Sequence, residues 1–204
     1  MKAAPFEYVR PDSLAEVCSL LTSSEDARII AGGQTLVPML AMRLARPTLL
    51  IDVLRIEELR GIRQDEGGVV IGAATRQCEA EMSGLVAESV PLLAQALPWV
   101  GHPPTRSRGT VGGSIANGDP SAEIPLTAVT LEAEIFLRTG DETITMPADE
   151  FFLGAMFTAA GQDACVTAVR FPKWGGRIGV SFHEVSARKS DFAFVSIAAQ
   201  VQLD

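Results

Sequence analysis

Two short runs combine glycine with small polar side chains in a pattern that core packing does not call for. The first, Ala31-Gly32-Gly33-Gln34-Thr35-Leu36, follows the apolar stretch Ala27-Arg28-Ile29-Ile30 and precedes a helical one. Glycine admits positive φ and removes the Cβ that would hold a ligand away from the main chain. Successive N–H groups can then face an anion, helped by the Thr35 hydroxyl and the start of the next helix. The spacing is neither GxGxxG nor GxxxxGK[ST], so neither a Rossmann fingerprint nor a P-loop fits. Taken alone, this run reads equally well as a plain strand-to-helix turn.

The second run, Ser107 to Pro120 (SRGTVGGSIANGDP), has four glycines and few large apolar side chains. That composition argues against an ordinary core helix or a well-packed strand, and for clearance around a ligand. Thr110, Ser114 and Asn117 offer short hydrogen-bonding side chains, while Asp119 and Glu123 offer acceptors for sugar hydroxyls. Asp119-Pro120 is also ordinary turn chemistry. Two anion-tolerant loops in different parts of the chain point to a long, diphosphate-containing ligand lying between them, in the kind of cleft that small-molecule sites favour.

The elements that must position these loops follow from periodicity. Asp12-Ser13 caps a helix with Leu14, Val17, Cys18 and Leu21 on one face. A strand at 27–31, a helix through Met39 to Leu44 and a strand at 48–53 complete a small parallel βαβ unit. From Leu59 the signal changes to hairpins: 61–64 with 69–72 around Asp65-Glu66-Gly67-Gly68, and 130–137 with 142–146 around Thr139-Gly140-Asp141. Thr75 caps a helix through Met82, a longer helix runs from Val90 to about Val100, and Ala164 to Phe171 is a further strand. The expected fold is therefore α+β: a small parallel sub-domain at 1–56 and a larger, mainly antiparallel one at 57–175. Two strands, Gly179–Val185 and Phe194–Leu203, open a third unit at 176–204 that is cut short at Asp204.

Composition narrows the function. With 47% hydrophobic and 21% charged residues the chain is of globular type. A formal charge of −8 argues against a nucleic-acid partner, which needs clustered Lys and Arg. No apolar run is long enough to span a bilayer, and Pro5, Glu7 and Arg10 interrupt any signal-peptide pattern, so the expected compartment is the cytoplasm. Cys18, Cys78 and Cys165 are dispersed and form no CxxC, and only His102 and His183 are present. A disulfide framework, a metal site on this chain and a hydrolytic triad are all poorly supported. Any redox centre must be borrowed.

The residues then carry a family likeness. AGGQTLVPMLAMRLARPTLLIDVLRIEEL and GHPPTRSRGTVGGSIANGDPSAEIP closely resemble the two FAD-binding motifs of the medium, flavin-carrying subunits of molybdenum hydroxylases, the xanthine dehydrogenase and carbon monoxide dehydrogenase family. FFLGAMFTA and SFHEVSARKSDFAFVSIAA resemble later segments, so the likeness runs over nearly the whole chain in order. It implies a two-part FAD-binding fold of the p-cresol methylhydroxylase (PCMH) type, with FAD in the cleft. By position, the diphosphate falls to Ala31, Gly32, Gly33, Gln34, Thr35 and Leu36. Diphosphate, ribityl and adenosine contacts fall to Thr110, Gly113, Ser114, Asn117, Asp119 and Glu123. A backbone contact falls near Ala159 or Ala160, and His183 stands where the family more usually has lysine.

The same likeness implies partners and a reaction path. A large subunit holds the molybdenum cofactor, a small one holds 2Fe-2S clusters, and the assembly is a dimer of heterotrimers. Electrons pass from the clusters through FAD to an external acceptor, and no residue of this chain is itself catalytic. Family members usually continue for about another domain beyond the point where this chain stops. Two other readings stand beside this one: a stand-alone PCMH-type flavoenzyme, like enolpyruvylglucosamine reductases, and a truncated, non-catalytic interaction protein.

Overall fold

The computed structural model describes residues 2–203. The chain opens with β1 (Glu7–Val9), α1 (Leu14–Ser23), β2 (Ala27–Ile30), α2 (Leu36–Ala41) and β3 (Leu49–Asp52). The strands form a parallel sheet in the order β1-β3-β2; parallel neighbours need helical crossovers because a tight turn would reverse the chain. The Ser13 hydroxyl accepts the Glu16 N–H at 3.2 Å, and Val17, Cys18 and Leu21 turn inward, as the spacing requires. Strand β1 has three residues, of which only Val9 is partly buried. That is too short for a period-2 signal, so its pairing with β3 is a tertiary outcome.

The remainder is built from β4 (Ile62–Gln64), β5 (Gly68–Gly72), α3 (Gln77–Glu81), α4 (Gly84–Ser89), α5 (Pro91–Ala96), α6 (Pro103–Arg106), α7 (Val111–Asn117) and α8 (Glu123–Thr130). Then come β6 (Glu134–Thr139), β7 (Glu142–Pro147), α9 (Ala148–Phe151), β8 (Phe152–Gly154), β9 (Phe157–Thr158), β10 (Ala164–Pro172), β11 (Arg177–Val185) and β12 (Val195–Leu203). The main sheet is antiparallel in the order β4-β5-β10-β6-β7. Its first hairpin is tied by the Asp65 carboxylate, which accepts the Gly67 and Gly68 N–H groups, each at 2.9 Å. The Thr75 hydroxyl donates to the Gly61 carbonyl at 3.1 Å instead of capping a helix, and α3 begins after Arg76.

Two cores result. In the larger, Val69, Ile71, Ile135 and Val169 of the antiparallel sheet meet Leu92, Leu93, Val111, Ile115, Ile124 and Ala128 of the helices. In the smaller, Val17, Leu21, Leu49 and Ile51 of the parallel unit enclose Leu59, Ala74 and Cys165. Helix α1 lies against β10, with Cys18 and Cys165 both buried; burial pushes the Cys18 thiol up and that of Cys165 up to about 12. Strands β11 and β12 pair as a nine-residue antiparallel ribbon. Phe182 and Glu184 face inward, while Val185, Val195, Ile197, Val201 and Leu203 stay exposed.

One expectation fails in an instructive way. The glycine-rich run 107–120 was expected to avoid helix, yet Val111–Asn117 is a helix with Val111, Gly112 and Ile115 buried. Val111 and Ile115 stand four apart, on one face, and that pair suffices once glycine lets the backbone approach the sheet. A Cβ on Gly112 would sit 2.5 Å from the Ala73 Cα, so the position has room only for hydrogen. Helix α8 was not expected either, although Ile124, Thr127, Ala128 and Leu131 follow helical spacing and are all buried. Its presence moves the start of β6 to Glu134.

Gly112→Ala should therefore overpack the α7–sheet contact and lower the unfolding free energy by about 1–3 kcal/mol. Gly84→Ala, where an added Cβ meets nothing within 4 Å, should be neutral or slightly stabilising. Urea unfolding followed by circular dichroism measures both, and equal effects would refute this packing argument.

Candidate functional site

The two glycine runs meet. A Cβ on Gly32 would lie 2.7 Å from the Gly109 Cα and would overlap the Arg108 carbonyl, so bare main chain is required at Gly32. The approach to this contact is fixed by Arg106, whose buried guanidinium donates to Glu81 at 2.7 and 3.0 Å and to the carbonyls of Val100 (3.2 Å) and Gly101 (3.0 Å). A buried charge so fully paired orients a segment firmly. Arg76 adds a hydrogen bond from its guanidinium to the Arg108 carbonyl.

What the two runs offer a ligand differs. In the first, Gly33 has φ of 70°, and Ala31, Gly32, Gly33 and Leu36 are half-buried beside exposed Gln34 and Thr35. Among the described residues the N–H groups of Gly32, Gly33, Gln34 and Thr35 find no protein acceptor, while the Gln34 amide turns back onto the Gly32 carbonyl at 3.2 Å. The Thr35 hydroxyl makes no cap to α2. This is a row of unengaged donors, the requirement for holding an anion by main chain.

In the second run the main chain is already engaged. Val111 N–H donates to the Thr75 carbonyl at 3.0 Å, Gly112 N–H to the Ala73 carbonyl at 3.0 Å, and Gly113 N–H to the Thr110 hydroxyl at 3.1 Å. Thr110 is buried as the N-cap of α7. The glycines expected to give a ligand clearance have internal neighbours instead: Gly109 lies on Gln77, Gly112 on Ala73, and Gly118 takes the left-handed cap that ends α7. The free offer of this run is its side chains. Ser114 and Asn117 are half-buried, and neither side chain has a hydrogen-bond partner among the described residues.

Beyond α7 the acidic residues gather. Asp119 Oδ1 accepts the Ser121 N–H at 2.9 Å and the Ser121 hydroxyl at 2.7 Å. Glu123 opens α8; burial pushes its carboxyl up to about 7, the nearby charges of Glu184 and Asp119 add to that, and Arg106 opposes it. Ala160, half-buried against the larger core, follows a hairpin that is tied to the end of α7 by the Met156 N–H on the Gly118 carbonyl at 2.9 Å. His183 is exposed on β11, edge-on to Trp99 with ring centroids 5.7 Å apart.

Three residues near His183 escaped the sequence reading. Trp99, Glu184 and Lys189 line an open cavity of about 720 Å³ together with Pro98, His183 and Ser186. Glu184 is 5% exposed, and neither of its carboxylate oxygens has a hydrogen-bond partner. The parity of Ser181-Phe182-His183-Glu184-Val185 held the signal: if Phe182 points inward, so does Glu184. A second open cavity, about 570 Å³ and lined by Glu57, Arg60, Thr75 and Glu79, contains none of the expected residues. Among the described residues no group of three or more His, Cys, Asp or Glu is placed to hold a metal ion, and no helix is long and apolar enough to cross a membrane.

A parallel three-stranded unit joined to an antiparallel sheet, with a donor-rich loop at the seam, defines a class that the comparisons identify. Residues 4–174 match the family described as the FAD binding domain in molybdopterin dehydrogenase, and the chain belongs to that family, as a medium, FAD-binding subunit of molybdopterin-dependent dehydrogenases. It is 38% identical over 194 residues to the carbon monoxide dehydrogenase medium chain of Hydrogenophaga pseudoflava, covering 95% of this chain and 68% of the relative. It is 35% identical over 205 residues to the 6-hydroxypseudooxynicotine dehydrogenase complex subunit alpha of Paenarthrobacter nicotinovorans, covering 100% of this chain and 69% of the relative. Among solved structures, carbon monoxide dehydrogenase from H. pseudoflava lacking the Mo-pyranopterin moiety superposes with a TM-score of 0.97 at 36% identity, over 100% of this chain and 71% of that one. Quinoline 2-oxidoreductase from Pseudomonas putida 86 gives 0.96 at 36% identity, with the same coverage. The chain thus spans about two thirds of the length of these relatives.

Glu123 makes stability depend on pH. It ionises at about 7 when folded and at its usual 4.5 when unfolded, so between these values the folded state keeps a proton that the unfolded state has released. This contribution is fully present below about 4.5 and is lost as pH rises through about 7. Glu123→Gln should remove that loss and raise the stability of the ligand-free protein above pH 7 by about 1–3 kcal/mol relative to wild type, with little difference at pH 4. Urea titrations across pH 4–8 measure it; an unchanged slope would contradict the assignment.

Proposed function

We propose that FAD binds along the two runs, with the diphosphate on the main chain of Ala31, Gly32, Gly33, Gln34, Thr35 and Leu36. Four unengaged N–H groups on a loop pinned against the Arg108–Gly109 main chain carry this reading. Ser114 and Asn117 then supply side-chain hydrogen bonds, Asp119 and Glu123 accept from the sugar hydroxyls, and Thr110 and Gly113 set the start of α7. Ala160 follows the β8–β9 hairpin tied to the end of α7, and His183 on β11 enters this reading by its position in the motif. The division at 1–56, 57–175 and 176–204 fits this arrangement, with the ligand at the first boundary.

When bound, FAD supplies the electron transfer; the chain supplies binding, orientation and electrostatics. No residue on it needs to act as catalytic acid or base. In this reading a small subunit with 2Fe-2S clusters delivers electrons and a large subunit with the molybdenum cofactor oxidises the substrate, in a dimer of heterotrimers. The similar proteins are named for carbon monoxide, 6-hydroxypseudooxynicotine and quinoline, so what they share with this chain serves the electron path rather than the choice of substrate.

Reconstitution of the full-length protein with FAD tests the proposal. One FAD per chain and flavin absorbance are expected after gel filtration, with absence of both refuting it. Gly32→Ala, which forces the two runs apart, should weaken FAD binding about tenfold or more, a change of about 1.4 kcal/mol. Ser114→Ala should weaken it less. Ser107→Ala, whose hydroxyl only bonds the Pro104 carbonyl, should leave it unchanged.

A further inference from the structure

Gln77 opens α3 and is 6% exposed. Its N–H donates to the Gly109 carbonyl at 2.9 Å, and its side-chain Nε2 reaches the Thr110 carbonyl at 3.5 Å. Oε1 faces the Gly109 Cα instead, and among the described residues this buried oxygen has no hydrogen-bond partner. A Cβ on Gly109 would overlap Oε1 and would lie 2.8 Å from the amide carbon. The Gln77 amide thus fills the place that a side chain on residue 109 would take. The preceding residue holds the same segment: the Arg76 guanidinium donates to the Arg108 carbonyl, while the Arg76 N–H is tied to the Glu79 carboxylate at 3.0 Å.

The Gly109 Cα is shared by two contacts, one with the Gln77 amide and one with Gly32 at the head of the donor row. We propose, resting on the FAD reading above, that Gln77 is a positioning residue for the nucleotide. Its amide sets where the Arg108–Gly109 main chain stands, and through the Gly32 contact it sets the donor row at 32–35. Because Oε1 makes no bond, what the amide gives this segment is chiefly volume. Without it a void opens beside Gly109, the segment settles into that void, and the Gly32 contact loosens, since packed main chain relaxes only as far as its neighbours allow. The effect of Gln77 on the ligand therefore passes through Gly109.

The test is titration of FAD with the deflavinated full-length protein, read by flavin fluorescence, beside urea unfolding of each ligand-free variant. Gln77→Ala should weaken binding about tenfold. Gln77→Met, of similar length and volume, should bind within about threefold of wild type and be no less stable, because the oxygen it removes is unpartnered. Gly109→Ala should also weaken binding about tenfold, since buried Gln77 has little room to swing aside. When Gln77→Ala and Gly109→Ala are combined, the new methyl enters the space the amide has left. Binding should then return to within about threefold of wild type instead of falling about a hundredfold. Wild-type affinity in Gln77→Ala, an equal loss in Gln77→Met, or multiplied losses in the double variant overturns this inference and leaves the FAD reading standing. If Gln77→Ala does not fold, Gln77→Ser takes its place in both comparisons. Failure of the wild type to bind FAD overturns that reading instead, and the inference with it.

Discussion

The close approach of Gly32 to the Arg108–Gly109 main chain is the constraint from which the rest of the architecture follows. At that distance the peptide groups of the two loops face one another with no Cβ between them. Such a contact has little tolerance, because a single added methyl group has nowhere to go. The protein therefore needs rigid elements on both sides to bring the loops to one place. On one side is the parallel unit, whose strand β2 ends immediately before the loop. On the other is the segment from Val100 to Thr110, held by the buried Arg106–Glu81 pair and by the bonds of Arg106 to two carbonyls. A surface ion pair would add little here; a buried, multiply bonded one fixes a conformation.

The division of labour between the two loops is sharper than their similar composition implies. Both are rich in glycine, but for different reasons. In the first, glycine leaves main-chain donors facing outward. In the second it lets helix α7 lie directly on Ala73 and lets the loop pass Gln77, so that the donors are consumed by the fold. One loop leaves a row of main-chain donors unengaged, and the other is a support that contributes only short side chains to the surface. Composition cannot separate these cases, because it records that Cβ is missing without recording what stands in its place.

Much of the fold was legible in the sequence because its signals were local. The Ser13 cap with Val17, Cys18 and Leu21, the Asp65 turn, and the switch from a crossover unit to hairpins all appear where periodicity and turn chemistry put them. What escaped was set by tertiary contact. Strand β1 is too short to have a period, and α7 reads as a loop until Ala73 is seen beneath it. Helix α8 was hidden by the acids and proline around its start. The candidate site divides the same way. The motif residues at 31–36 and 110–123 could be named from their resemblance to a family. Glu184, one residue beyond a family position, shares the parity of Phe182, and the burial of Phe182 in the fold shows that this face turns inward.

The seam between α1 and β10 has a consequence for sulfur chemistry. Cys18 and Cys165 lie there buried, with their thiols held in the protonated form by the apolar surroundings. A thiol that does not ionise neither exchanges with disulfides nor ligates iron, since both reactions require the thiolate. In a subunit proposed to work beside iron–sulfur clusters, these two sulfurs are chemically silent. Alkylating reagents would reach them only after the two sheets part, which makes them built-in reporters of the opening of the seam.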